Sequence, residues 1–323
     1  MFTLRFDLRV PPFADTTHAG QYQACLEMCE WADSRGFLTA TLAEHHGTED
    51  GFVNSPLTVA AAILGRTRTL MCSVSALLIP LHDPIRLAEE IATIDVMAPG
   101  RLIVVAGIGY RESEFEMFGA DRTRRGLMTE QGIELMIRAW SGEAFEHDGR
   151  TVWVTPKPVT EPHPLLMVGG SVEASARRAA RLKLPFMPAL GDQALADVYY
   201  ATALAEGYET PFALLPSGPG MVMVTEDPDR TWDLIGRHAL YDAGVYAGWQ
   251  HDDQRSSWLV EADDIDGLKA SGQWAVVTPE ECAALAREHG NVVLHPLVGG
   301  IDPAIGWESL ELVTNKVMPL LSD

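Results

Sequence analysis

The stretch "TLAEHHGTEDG", residues 41–51, sets His45 beside His46, with Glu44 ahead and Glu49 and Asp50 behind. Here a hydrophobic segment gives way to turn residues. Imidazole is the side chain whose ordinary pKa lies near neutrality, so a histidine at such a border is suited to giving or taking a proton. Neighbours on a regular strand face opposite sides. The two rings therefore border one pocket only where strand geometry loosens. The chain has no H-x-H, no H-E-x-x-H and no cysteine cluster, so proton chemistry without a metal is expected. We expect His45 to be catalytic, with His46 and His82 as weaker candidates that also suit structural hydrogen bonding.

Two other stretches have the character of a ligand seat. In "PLLMVGGS" a strand runs into Gly169 and Gly170, and Ser171 is expected to open a helix. Free backbone N–H groups and a hydroxyl there fit an anion such as phosphate; the alternative is turn glycines and a helix cap. Arg177 and Arg178, two turns further on, are expected to face solvent or neighbouring helices. In "SVSALLIP", Ser73, Ser75 and Ala76 are small where a central strand favours bulky β-branched residues. Small residues let a planar ligand approach the backbone, although ordinary alternation of large and small core residues gives the same pattern.

Eight strands must position these groups: "LRFDLRV", "FLTATLAEHH", "TLMCSVSALLIP", "RLIVVAGIG", "PLLMVGG", "LPFMPA", "GMVMVTED" and "NVVLHPLVGG". Helical patterns separate them. Asp83 precedes Pro84 as an N-cap, and Thr278 with Glu281 forms a capping box. Residues 142–163, rich in Gly and Pro, suit an insertion between strands four and five, with a small strand or hairpin. Residues 250–277 are acidic and carry little periodicity. No G-x-G-x-x-G turn follows an early strand, so a doubly wound dinucleotide fold is disfavoured. The expectation is an α/β (β/α)8 TIM barrel, one domain over residues 1–323, with an irregular excursion before strand eight.

Barrel sites collect at the C-terminal strand ends. There the sequence places Asp7 and Arg9, Glu44 with His45 and His46, His82 and Asp83, Tyr110 and Arg111, Gly169 with Gly170 and Ser171, and His295. The balance of 24 basic against 45 acidic residues, net charge -21, makes nucleic acid a poor partner. Cys25, Cys29, Cys72 and Cys282 are too scattered for a disulfide scaffold, and Cys25 and Cys29 suit the packed face of a helix. The start "MFTLRFDLRV" lacks a signal-peptide core, and no uninterrupted apolar run reaches the roughly 18 residues of a membrane span. A cytoplasmic enzyme is expected.

"AEHHGTEDG", "ALLIPLHDPIRLAEEIATIDVMAPGRLIVVAGIGYRESEFEMFG", "PHPLLMVGGSVEASARRAARLKLPF" and "HPLVGGIDPAIGWESLELVTNKVMPLL" resemble the bacterial luciferase-like flavin-dependent monooxygenases. The resemblance covers almost the whole chain and is weakest between about residues 190 and 275. An E-H-H at strand two, a P-x-x-D-P turn and an E-F-x-x-F-G segment, in order at compatible spacings, carry its specificity.

The resemblance implies a TIM barrel with an insertion, usually a homodimer. It implies reduced FMN delivered by a separate flavin reductase, and O2 activated as a C4a-peroxyflavin that oxygenates a small organic substrate. A subgroup instead uses the deazaflavin F420 for hydride transfer, which is the alternative reading here. A third reading, a non-catalytic interaction protein on the same fold, sits poorly with His45, the small strand-three residues and "VGGS". Carried across by residue, His45 matches the catalytic histidine. Ser75 and Ala76 match a non-prolyl cis peptide beneath the flavin ring, and Ser171 matches a phosphate-loop serine. Tyr110, Gly169 and Gly170 complete the expected cofactor contacts. Gly170 stands where luciferase has an acidic residue and Ile108 where it has an arginine, leaving Arg111 as the nearest replacement cation in sequence. The substrate is not readable, although Tyr246, Trp249, Trp258 and Trp274 are candidates to line an apolar pocket or to pack the excursion.

Overall fold

The structure is a computed structural model that describes residues 1–249 and 260–322; Trp258 lies outside the described residues. In chain order the first half comprises β1 (Phe2–Phe6), α1 (His18–Asp33), β2 (Thr39–Leu42), α2 (Pro56–Arg66), β3 (Met71–Leu78), α3 (Pro84–Met97), β4 (Leu102–Gly107), α4 (Glu112–Phe118) and α5 (Arg125–Ala139). The hairpin β5 (Phe145–His147) and β6 (Arg150–Val152) occupies the expected insertion, and its two strands are antiparallel. Then come β7 (Leu165–Gly170), α6 (Glu173–Arg181), β8 (Phe186–Pro188), α7 (Gln193–Ala205), β9 (Met221–Val224) and α8 (Pro228–Trp249). The remainder is α9 (Ile265–Ala270), β10 (Trp274–Val277), α10 (Pro279–His289), β11 (Val292–Leu294), α11 (Pro303–Leu312) and, after a π-helical turn, α12 (Met318–Leu321).

Nine strands form one parallel sheet in the order β10-β9-β11-β1-β2-β3-β4-β7-β8. Parallel strands flanked by helices are buried on both faces, which is why "LMCSV" and "LIVVAG" read as near-continuous apolar runs. This is the α/β, TIM-barrel-type fold that the alternation implies. Among the described residues the ladder has its two ends at β8 and β10, and a parallel bridge from Phe186 to Ala213 continues the sheet beyond β8.

Local chemistry sets the helix starts. Asp83 accepts from the N–H groups of Ile85 and Arg86, and Thr278 and Glu281 close a capping box at α10. The insertion is tied to α3 by Asp95, whose carboxylate accepts from Val159 N at 2.7 Å, Thr160 N at 2.8 Å and Thr160 Oγ1 at 2.5 Å. Cys25, Cys29 and Cys72 are buried and free, within the main core.

Part of the stretch expected to be irregular is structured: α9 and β10 fall in it. Both are too short to show periodicity. Asp264 caps α9 through Gly267 N, and β10 gains its order by pairing residue for residue with β9. Trp274 belongs to a second hydrophobic cluster with Met221, Met223 and Trp232.

Candidate active site

β3, β4 and β7 carry the small residues that shape one cavity. The ladder between β3 and β4 pairs Ser75 with Val105 and then Leu77 with Ala106, so Ala76 is bulged out of register. The Ser75–Ala76 peptide is cis. A Cβ at Gly107 would lie 2.7 Å from Ala76 Cβ, so the backbones of β3 and β4 approach closely only with glycine there. The cavity is lined by Ser75, Ala76, Gly107, Gly169 and Gly170 together with His45, Tyr110 and Tyr246. Six of the seven expected site residues, His45, Ser75, Ala76, Tyr110, Gly169 and Gly170, thus border one space.

Ser171 is buried beside that cavity but does not open the helix. The N-cap of α6 is Val172, which makes no side-chain cap. Gly170 has φ +149°, and a Cβ on it would fall 2.2 Å from Ser175 Oγ. That hydroxyl is buried and has no hydrogen-bond partner among the described residues. Arg177 pairs with Glu173 on the surface, while Arg178 is buried 3.6 Å from Glu130.

His45 is only 6% exposed, deeper than a strand-end position suggests. The rings of Phe52, Tyr110, Tyr246 and Trp249 surround it, with centroids 4.7–6.0 Å away. Its Nδ1 lies 3.0 Å from Glu114 Oε1, which also accepts from His46 N and Arg111 Nη1, both at 3.0 Å. An ionised carboxylate only accepts, so Nδ1 carries the proton and Nε2 is the acceptor for Tyr110 Oη, 3.4 Å away. Burial lowers the His45 pKa; Glu114 opposes this, while Arg111 and Arg9 reinforce it. Burial works to raise the Glu114 pKa, but the hydrogen bonds of His45 and His46 and the Arg111 charge leave it lowered. Burial raises the Tyr110 pKa and holds its hydroxyl protonated. The result is a neutral imidazole, fixed in one tautomer, facing a cavity.

Glu114 was named in the sequence only within the E-F-x-x-F-G segment and given no role, because α4 is seven residues long and nothing local ties it to His45. The signal was "EFEMF", in which Glu114 and Phe115 are the buried pair. Arg111, the candidate phosphate cation, instead binds Glu114 and the His46 carbonyl at 2.7 Å and lies over Trp249.

His46 and His82 converge on Glu44 rather than on the cavity. Glu44 Oε1 lies 2.8 Å from His46 Nε2 and 2.6 Å from His82 Nε2, and Oε2 accepts from Leu78 N at 2.6 Å. Burial works against the carboxylate, yet these bonds lower its pKa to about 2. Asp7, Arg9 and His295 form a separate buried ionic cluster with Asp50 and Asp242. Arg9 Nη1 stands 2.9 Å from Asp242, and His295 Nε2 stands 3.4 Å from Asp7. Burial raises the Asp242 pKa, while His295 and Arg9 overcome burial to lower that of Asp7. No described helix is long and apolar enough to cross a membrane.

Solved structures share this fold. Monooxygenase RslO1 from Streptomyces bottropensis superposes with a TM-score of 0.77 over 99% of both chains at 22% identity. The oxygenating constituent of 3,6-diketocamphane monooxygenase from Pseudomonas putida, solved with FMN, gives 0.69 over 98% and 97% at 19%. An F420-dependent secondary alcohol dehydrogenase gives 0.71 over 100% and 99% at 16%. In sequence, the alkanal monooxygenase alpha chain of the Kryptophanaron alfredi symbiont is 28% identical over 46% of this chain and 42% of its own. The oxygenase component of the flavin-dependent trigonelline monooxygenase from Acinetobacter baylyi is 27% identical over 48% and 43%. The chain thus spans less than half the length of these curated relatives. The family described as luciferase-like monooxygenase matches residues 6–290. The chain belongs to the luciferase-like monooxygenase family.

Proposed function

We propose that this chain, acting as one domain, is an oxygenase component that uses reduced FMN and O2 to oxygenate a small organic substrate. The observation that carries the reading is the neutral, Glu114-anchored His45, which presents Nε2 to a cavity walled by Ser75, Ala76 and glycines. Reduced flavin, when bound, supplies the electrons that activate oxygen. The residues present fit it. Small side chains on β3, β4 and β7 leave a flat approach for the ring, and the unpartnered Ser175 hydroxyl beside Gly170 suits the phosphate, with Ser171 and the first N–H groups of α6.

The protein's own contributions follow from the geometry. His45 Nε2 takes or returns a proton at the cavity, Glu114 holds the ring in the Nδ1–H tautomer, and Tyr110 donates its hydroxyl proton toward the same nitrogen. The aromatic cage around His45 excludes water and offers an apolar face to substrate. A separate reductase fits the naming of the trigonelline relative as an oxygenase component; we propose a cytoplasmic homodimer fed by such a partner.

The test is an anaerobic titration with reduced FMN and with reduced F420, followed by admission of O2. Saturable binding of reduced FMN, with reoxidation altered from that of free flavin, is the expected outcome. Binding of F420 alone would reassign the chain to hydride transfer without oxygen activation.

A further inference from the structure

We propose that Glu44, His46 and His82 form a site for one divalent transition-metal ion of the zinc class. The three ligand atoms lie within 4.8 Å of one another, and both imidazole Nε2 atoms point at the same carboxylate oxygen. Two imidazole nitrogens and one carboxylate oxygen are the protein donors of zinc centres that keep an open fourth position. This set disfavours Ca2+ and Mg2+, which take oxygen ligands. Bonds of about 2.0–2.1 Å place tetrahedral ligand atoms roughly 3.3 Å apart. Displacements on the order of 0.5 Å therefore open the present contacts enough to admit the ion. The outer contacts are already built: Leu78 N–H holds Glu44 Oε2 from behind, and Phe118 packs on His46 with centroids 4.6 Å apart.

Charge separates this group from the other three-residue cluster. Asp7, Asp242 and His295 are equally close, but the Arg9 guanidinium already sits against both carboxylates. Among the described residues, Glu44 has only the two histidines as ion-pair partners. Access is also distinct. Glu44 borders the cavity, whereas the His82 side chain, 27% exposed, lines an outer groove with Pro84, Gln131, Glu134 and His147. An ion can therefore enter without crossing the flavin seat. Once bound, it would tie the end of β3 to the loop that carries His45. The inference does not depend on which flavin the cavity takes.

The experiment titrates the metal-free full-length chain with Zn2+ by calorimetry and with Co2+ by visible absorption. One ion per chain is expected. His82→Ala and His46→Ala should each weaken binding by at least roughly 100-fold, beyond what loss of an outer-shell contact costs. His147→Ala, in the same groove but outside the donor set, should leave binding unchanged. Circular dichroism checks that each variant folds. His82→Cys supplies a second test, because a thiolate-to-cobalt charge-transfer band arises only if position 82 is a ligand. No saturable binding by the wild type, unchanged affinity in folded His82→Ala, or no such band in His82→Cys would overturn the proposal.

Discussion

Replacing Glu114 by glutamine removes one charge, and little volume, from the contact that fixes His45. Glu114 Oε1 receives His45 Nδ1, His46 N and Arg111 Nη1, each at 3.0 Å. A glutamine carbonyl can accept from the same donors, so Glu114→Gln should fold at a cost of about 1–3 kcal/mol as charge-assisted bonds become neutral ones. Glu114→Ala should cost more, about 3–5 kcal/mol, because the mostly buried Arg111 loses its carboxylate. The effect on His45 has a definite sign. Glu114 is the group that favours the imidazolium against burial, Arg111 and Arg9, so its neutralisation should lower the His45 pKa further. The amide can also turn its NH2 toward Nδ1 and select the wrong tautomer. Loss of a positioned base should reduce turnover by about 10²–10³-fold. Histidine-specific 15N NMR across pH reads tautomer and pKa directly. A wild-type ring protonated at Nε2, or a His45 pKa in Glu114→Gln at or above that of the wild type, would refute the reasoning.

His45→Ala should fold and bind reduced FMN while losing about 10²–10⁴-fold in product formation; normal coupling of flavin oxidation to product would assign the residue to architecture. Gly170→Val should weaken binding of FMN more than of riboflavin, since φ is +149° and Ser175 fills the space a side chain would need. Ser171→Ala should cost about 1–2 kcal/mol of FMN affinity if it loses one charge-assisted bond, and unchanged fluorescence titrations in both variants would remove the loop from the site. Because the Glu44 pKa falls from 4.5 to about 2 on folding, its contribution is complete above pH 4.5 and is lost as pH drops toward 2. Glu44→Gln should therefore lose up to about 3 kcal/mol of the pH-dependent stability in that window, and denaturant melts showing an unaltered acid slope would contradict this. Asp95→Ala should destabilise by about 2–4 kcal/mol, through loss of the bonds to Val159 and Thr160, and proteolysis of the β5–β6 insertion should speed up; an unchanged cleavage rate would show that another contact holds it.

The barrel could be read because its longer helices show a period or carry a start signal, and the apolar runs between them mark the strands even where these are short. Asp83-Pro84 and Thr278 with Glu281 marked two helices that the structure caps in that way. α9 and β10 escaped because six and four residues cannot display a period, and their order comes from Asp264 and from pairing with β9. At the site, glycines and small residues on adjacent strands pointed to a ligand seat from types alone. The partner of His45 did not emerge, because Glu114 lies 69 positions away and reaches the ring only through the fold. Ser171 was read as opening α6, but the extended backbone at Val172 moves the cap one residue on. Asp7, Arg9 and His295 stand at strand ends as active-site residues do, yet they face one another in a buried ionic cluster. Sequence position gives the end of a strand, and packing decides which way its side chains turn.

The most direct measurement is a crystal structure of the protein soaked anaerobically with reduced FMN. The account predicts the isoalloxazine ring against the Ser75–Ala76 peptide, the phosphate at Gly170, Ser171 and Ser175, and His45 Nε2 facing the ring across the cavity. Flavin bound elsewhere, or a saturating soak that leaves this cavity without flavin, would contradict it.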